Sequence, residues 1–261
     1  MAIWVIKVTH CVRNIRFMNK NDHIRAVIFD VDGTMFDTLP SLSTAANVVL
    51  VHAGWQEVPM SLLQSALNEG LRPLFQKAIA LQSAAVDAQT ATRLEYEYMA
   101  QYLRHGLLTA PLFAGVSDAL MAFKSRGLKL GVCTNRDRAS TEALLASAAI
   151  VDSFDAIVSL GDTPLPKPAP DPLLLLMERL DVSPEETLFV GDSAMDARCA
   201  HLSKVRFAAH LGGYAGHAGD LLPNVLSFGS YEQLTSWLLD RCSALFPPVS
   251  FTSPRPINLC H

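Results

Sequence analysis

The sequence predicts an α/β protein, a doubly wound, Rossmann-like parallel sheet interrupted once, after its first strand, by an all-helical insertion. Three observations carry this prediction. From Arg25 onward, short apolar runs of strand length alternate with helical patterns, the rhythm of a parallel sheet covered by helices. Between Asp37 and about Leu112 that rhythm stops and only helical spacing remains. Polar residues suited to chemistry follow directly on several of the apolar runs, where open α/β sheets bind ligands.

Taken in order, residues 1–25 carry Lys7, Arg13, Arg16, Lys20 and Arg25 against Asp22 alone. Residues 1–24 are therefore read as a basic leader into the first strand, with Met18 as an alternative start and a targeting peptide as the competing reading. Strands are expected at Ala26–Phe29, Leu128–Cys133, Ala156–Leu160, Thr187–Val190, Val205–Ala209 and Val225–Phe228. Ser117 is placed to cap a helix that ends at Gly127, and Asp171 before Pro172 suits a first helical turn. In the insertion, Leu42, Ala45, Ala46, Val49, Leu50 and Ala53 form one helical stripe that Gly54 can end. Further helices are expected over 61–69, 72–81 and 88–105, the first ending at Gly70 and the last at Gly106. The core thus comprises 25–36 and 113–242, the insertion 37–112, and the proline-rich stretch 243–261 an irregular tail.

Composition narrows the function classes. Half the residues are apolar and 18% are charged, a globular composition able to bury a core. A net charge of −4 leaves no basic footprint for nucleic acid, so an anionic ligand has to be held by a local site. No apolar run approaches the roughly 18 residues that a membrane span requires. Cys11, Cys133, Cys199, Cys242 and Cys260 are odd in number and show no metal or redox spacing, so a reducing cytoplasm is the expected location. His52, His105, His201, His210 and His217 show no ligand spacing either, and read as structural or surface residues.

Four polar groups converge in order at the expected strand ends. The first strand runs into Asp30-Val31-Asp32-Gly33-Thr34, the second into Thr134-Asn135, and the fourth into Gly191-Asp192-Ser193 with Asp196 shortly after. Lys167-Pro168 lies on the loop after the third strand. Singly these are weak signals: Asp-X-Asp is a common turn, Thr-Asn a common helix start, and Asp196 alone an ordinary exposed helix residue. Their joint order and placement are what count. This constellation resembles the four motifs of the haloacid dehalogenase superfamily, over nearly all of 25–240. The stretches from Asp30 to Thr38, Gly161 to Pro172 and Leu188 to Ser193 are similar to its phosphoglycolate phosphatase branch, whose helical cap is inserted between the first and second motifs.

The resemblance implies a phosphatase acting on a small phosphate ester, with Asp30 as nucleophile and Asp32 as acid and then base. Thr134, Asn135 and Lys167 would bind the transferring phosphoryl group, where charge develops in the transition state. Mg2+ is the implied cofactor, with Asp30, Asp192, Asp196 and the backbone carbonyl of Asp32 as ligands. The implied substrate is 2-phosphoglycolate, with Arg72 in the cap or Arg136 in the core as partner for its carboxylate. Arg72 also reads as a surface arginine whose stem covers the cap, and Gly70-Leu71-Arg72-Pro73 matches the branch only loosely. Arg136 stands where relatives often carry lysine.

Other readings remain in view. A sugar-phosphate phosphatase, pyrophosphatase or phosphomutase would share the core chemistry, and a binding protein could retain the fold alone. Asp32 argues against a haloacid dehalogenase, and a single insertion lysine, Lys77, argues against a phosphonatase that needs a Schiff base.

Overall fold

The computed structural model describes residues 23–67, 69–82, 86–106 and 110–242. The leader up to residue 22, including Met18, and the tail from 243 lie outside the described residues. Six strands, β1 (Ala26–Phe29), β2 (Lys129–Asp137), β3 (Ala156–Leu160), β4 (Thr187–Gly191), β5 (Arg206–His210) and β6 (Leu226–Phe228), form one sheet in the order β3-β2-β1-β4-β5-β6. All its pairings are parallel. The order reverses between β1 and β4, so the crevice at their carboxyl ends is the topological switch point where such sheets bind ligands.

The strands read as uninterrupted apolar runs because both faces of the sheet are covered. On β1, Val27 and Phe29 enter one core with Val132, Val190 and Phe228, while Ala26 and Ile28 enter the other with Cys133, Phe189 and Phe207. The first core is covered by α5 (Val116–Ser125), α6 (Arg138–Ser147) and α9 (Tyr231–Cys242); the second by α7 (Asp171–Leu180) and α8 (Ala194–Leu202). Two expectations shift. Helix α5 is capped at Gly115 rather than Ser117, because buried Val116 already belongs to its first turn. Strand β2 continues beyond Cys133 to Asp137, through a register irregularity that ends with Asp137 beside Leu160 of β3.

The insertion is a helical cap of α1 (Leu39–His52), α2 (Met60–Leu67), α3 (Leu71–Ala80) and α4 (Ala88–Gln101), the last continuing into a π-helical turn at Tyr102–Gly106. Pro40 in the first turn and Gly54 beyond the last bracket α1, and Asp87 caps α4 by accepting a 2.9 Å bond from the amide of Thr90. The buried stripe Leu42, Ala46, Val49 and Leu50 packs into the same apolar cluster as Phe29 and Val132, so cap and core share one hydrophobic interior. The two passages between them lie side by side. Asp37 N donates to Pro111 O at 3.0 Å and Phe113 N to Met35 O at 2.9 Å.

Phe29, the last residue before the polar turn, is fully buried, stacked on Phe123 at 6.4 Å and edge-on to Phe154 at 6.5 Å. Phe29→Ala is expected to cost about 3–5 kcal/mol in urea denaturation. A loss below about 1 kcal/mol would show that this face of the sheet repacks around the gap.

Candidate active site

Asp30 follows β1, and its amide donates to Val190 O of β4 at 2.9 Å, which ties the residue to the switch point. The chain then turns tightly, with Met35 N and Phe36 N both donating to Val31 O. Gly33 sits in this turn at φ 78°, and a Cβ there would lie 2.3 Å from Asp192 Oδ2. Only glycine satisfies both the left-handed backbone and the close approach of the Asp192 carboxylate. Buried His210 donates from Nδ1 to Gly33 O at 2.9 Å, and burial lowers its pKa, so a neutral imidazole braces the turn.

The β4 end supplies Asp192, whose two oxygens accept from Thr34 Oγ1 at 2.8 Å and from the amide of Tyr214 at 2.7 Å. Asp196 is fully buried in the first turn of α8. A capping box holds it there: Ser193 Oγ accepts from Asp196 N at 3.2 Å, and Asp196 Oδ2 accepts from Ser193 N at 3.1 Å. Lys167 reaches in from the loop after β3, its Nζ 2.8 Å from Asp30 Oδ1 and 2.6 Å from Asp196 Oδ1.

Burial raises Asp30 to about 7 against the pull of Lys167. It also raises Asp192 well above the carboxylate range, with Asp196 and Asp30 adding to the shift. Burial works against the Lys167 ammonium, but Asp196 and Asp30 outweigh it and raise its pKa well above the usual value. Asp30, Asp192 and Asp196 each offer an oxygen within 4.8 Å of the others. This crowded set of hard, buried donors fits a small divalent cation, which would relieve the repulsion that burial aggravates.

The two remaining expected groups come from β1 and β2. Asp32 is held from two sides, accepting from Thr38 Oγ1 at 2.5 Å and from Arg136 through Nε at 3.1 Å and through Nη2. Thr134 is buried at the cavity, and its hydroxyl accepts from Arg136 N at 3.1 Å. The Asn135 side chain exchanges two 3.0 Å bonds with the Lys167 backbone, so its amide positions the lysine loop. A cavity lined by Asp30, Asp32, Thr134, Arg136, Lys167 and Ser193 is bounded on the cap side by Leu67 and Gly70. Gly70 N-caps α3 and lies so near the core that a Cβ would be 3.2 Å from Asn135 O.

Arg72 does not join this group, a correction to its expected place at the cap face of the site. Its side chain is 68% exposed and its Nε lies 3.4 Å from Glu95 of α4, because α3 turns it outward while Gly70 takes the inward position. Thr38, Tyr214 and Ser193 carry no role in the sequence reading, and His210, read there as structural or surface, is a buried residue that braces the site. The motif flanks held two of them, Thr38 and Ser193, in plain view. Gly213, next to Tyr214, is like Gly33 a signal of close backbone approach near Asp192.

Residues 27–210 match the family model described as haloacid dehalogenase-like hydrolase. A phosphoglycolate phosphatase of Nitrosospira multiformis is 35% identical over 178 residues, 68% of this chain and 78% of that protein. One from Rhodospirillum rubrum is 32% identical over 220 residues, covering 82% and 90%. Among solved structures, a predicted phosphoglycolate phosphatase from Haemophilus somnus superposes with a TM-score of 0.78 at 22% identity, over 84% of this chain and 99% of that one, and bears on the fold alone. Since the family match runs from within the first strand to the end of the fifth, and relatives above 30% identity cover 68% and 82% of the chain, the chain belongs to the haloacid dehalogenase-like hydrolases.

Proposed function

We propose that this chain is a magnesium-dependent phosphatase working through an aspartyl-phosphate intermediate, with 2-phosphoglycolate as substrate. The observation that carries the reading is the meeting of Asp30, Lys167 and Asp196 through one ammonium, beside Asp192 and directly below a capped cavity. The names borne by the relatives from Nitrosospira and Rhodospirillum support the choice of substrate.

In this reading an Asp30 oxygen attacks phosphorus and the ester oxygen departs, taking a proton from Asp32. Asp32 then removes a proton from water as that water attacks the aspartyl phosphate, which releases inorganic phosphate and restores Asp30. Thr38 and Arg136 hold the Asp32 carboxylate in place for both steps. Lys167 orients Asp30 and donates to a phosphoryl oxygen, and the Thr134 hydroxyl lies ready to do the same. Asp30, Asp192, Asp196 and the Asp32 carbonyl would hold magnesium, which when bound supplies Lewis-acid polarisation of the phosphoryl oxygens. The cap residues Leu67 and Gly70 bound the site and limit its contact with bulk water, which strengthens the electrostatic contacts to the phosphoryl group.

Phosphate release from 2-phosphoglycolate is the direct assay. Asp30→Asn is expected to keep its fold by circular dichroism and to lose turnover by about a thousandfold or more, and normal turnover in a folded variant sinks the mechanism. Lys167→Ala is expected to lower kcat by about a hundredfold, and a change confined to KM would contradict its role in the transition state. Chelation is expected to silence the enzyme and magnesium to restore it. Magnesium is also expected to raise the unfolding temperature of the wild type but not of Asp192→Asn, and an equal rise in both would remove Asp192 from the metal site.

A further inference from the structure

Arg136 is buried at the edge of the cavity, and its planar guanidinium is only partly used. Nε and Nη2 both face the Asp32 carboxylate, while Nη1 has no hydrogen-bond partner among the described residues. The cap brings two aromatic residues to that side. The Tyr102 ring centroid lies 5.2 Å from Arg136 Cζ, and Tyr98, one helical turn earlier, stacks on Phe75 of α3 with centroids 4.6 Å apart. Both tyrosine hydroxyls are buried; that of Tyr98 has no partner among the described residues, and that of Tyr102 has the Arg136 guanidinium as its one polar neighbour there. Burial raises both phenols, most strongly that of Tyr98, so both remain protonated and able to donate.

Buried polar groups with unused hydrogen-bonding capacity are costly, and native interiors rarely tolerate them without a purpose. Their placement is also specified locally. Tyr102 opens the π-helical turn, a distortion frequent at functional sites, and the ring packs so closely on Gly106 that a Cβ there would lie 2.3 Å from Tyr102 Cδ2. An acceptor-only group with several lone pairs matches the two N–H donors of Nη1 and the two phenol O–H donors, and an ionised carboxylate is such a group.

We propose that Arg136 Nη1, Tyr98 Oη and Tyr102 Oη form the subsite for the carboxylate of the leaving group. The inference rests on the phosphatase reading above and deepens it by assigning the specificity-determining residues. The connectivity of 2-phosphoglycolate agrees with this arrangement. Its carboxylate sits one carbon from the ester oxygen that Asp32 protonates, and the single guanidinium of Arg136 spans from Asp32 to the two tyrosines.

The test compares 2-phosphoglycolate with ethyl phosphate, which has the same chain length and no carboxylate. Kinetics are measured on the wild type, Tyr98→Phe, Tyr102→Phe and the double variant with magnesium, and calorimetric binding of both esters is measured in an Asp30→Asn background. Each single substitution is expected to reduce the preference for 2-phosphoglycolate about tenfold and the pair about a hundredfold, in kcat/KM and in affinity alike. The unfolding temperature of Tyr98→Phe without ligand is expected to be no lower than that of the wild type, since its lost hydroxyl had no partner to lose. A wild-type preference that survives both substitutions overturns the subsite while leaving the phosphatase reading intact. A wild type with no preference overturns the phosphoglycolate reading and the subsite together. If turnover is absent but the binding preference is present and falls in the Phe variants, the subsite stands and the catalytic reading fails.

Discussion

The confinement of Asp30, Asp192 and Asp196 below the protein surface is the constraint to which the rest of the structure answers. Three carboxylates with little water around them repel one another, and a buried charge without compensation is among the most costly features a fold can carry. Lys167 offsets part of that cost, and oriented donors offset more: Thr34 and the Tyr214 amide on Asp192, Ser193 on Asp196. What remains is a rigid oxygen cluster whose negative charge is disfavoured by burial. Rigidity is supplied by the sheet, whose first and fourth strands are hydrogen-bonded neighbours with apolar cores on both faces, so that the ends carrying Asp30 and Asp192 have little freedom to separate.

Much of this was legible before any coordinates. The strands stood out because burial on both faces leaves them as plain apolar runs, and Asp30 and Asp192 stood out because each follows such a run directly. The continuation of β2 through Thr134, Asn135 and Arg136 was hidden because those residues are polar, and their extended backbone is imposed by the site and by β3 rather than by periodicity. The outward turn of Arg72 was hidden for a different reason. Sequence places a residue on a helix but does not say which face the neighbouring helix claims, and here α4 offers Glu95. Supporting residues such as His210 and Tyr214 act across more than 170 positions, a separation at which no local pattern exists to be read.

The cap and core meet in two chemically distinct zones. One is apolar and continuous, with α1 packed into the cluster that also contains Phe29. The other is polar and lies over the cavity, where Thr38, at the start of the first cap helix, holds the same Asp32 oxygen that Arg136 grips from the core. The apolar zone gives the cap adhesion, and the polar zone makes its position matter to the reacting groups.

Tyr214 joins these zones through three separate atoms. Its amide donates to Asp192, its hydroxyl accepts from Leu39 N and donates to Asp37 Oδ1, and its carbonyl accepts from Gln64 of α2. The cap is therefore not an interchangeable module clipped between two linkers. Its first helical amide is satisfied by a loop belonging to the far half of the core, so a grafted cap with a different entry angle would leave that amide, the phenol and Asp37 all seeking new partners. Chimeras in this architecture would have to carry the Gly212–Tyr214 loop together with the helices it secures, and lineages exchanging caps would have to change both segments in step.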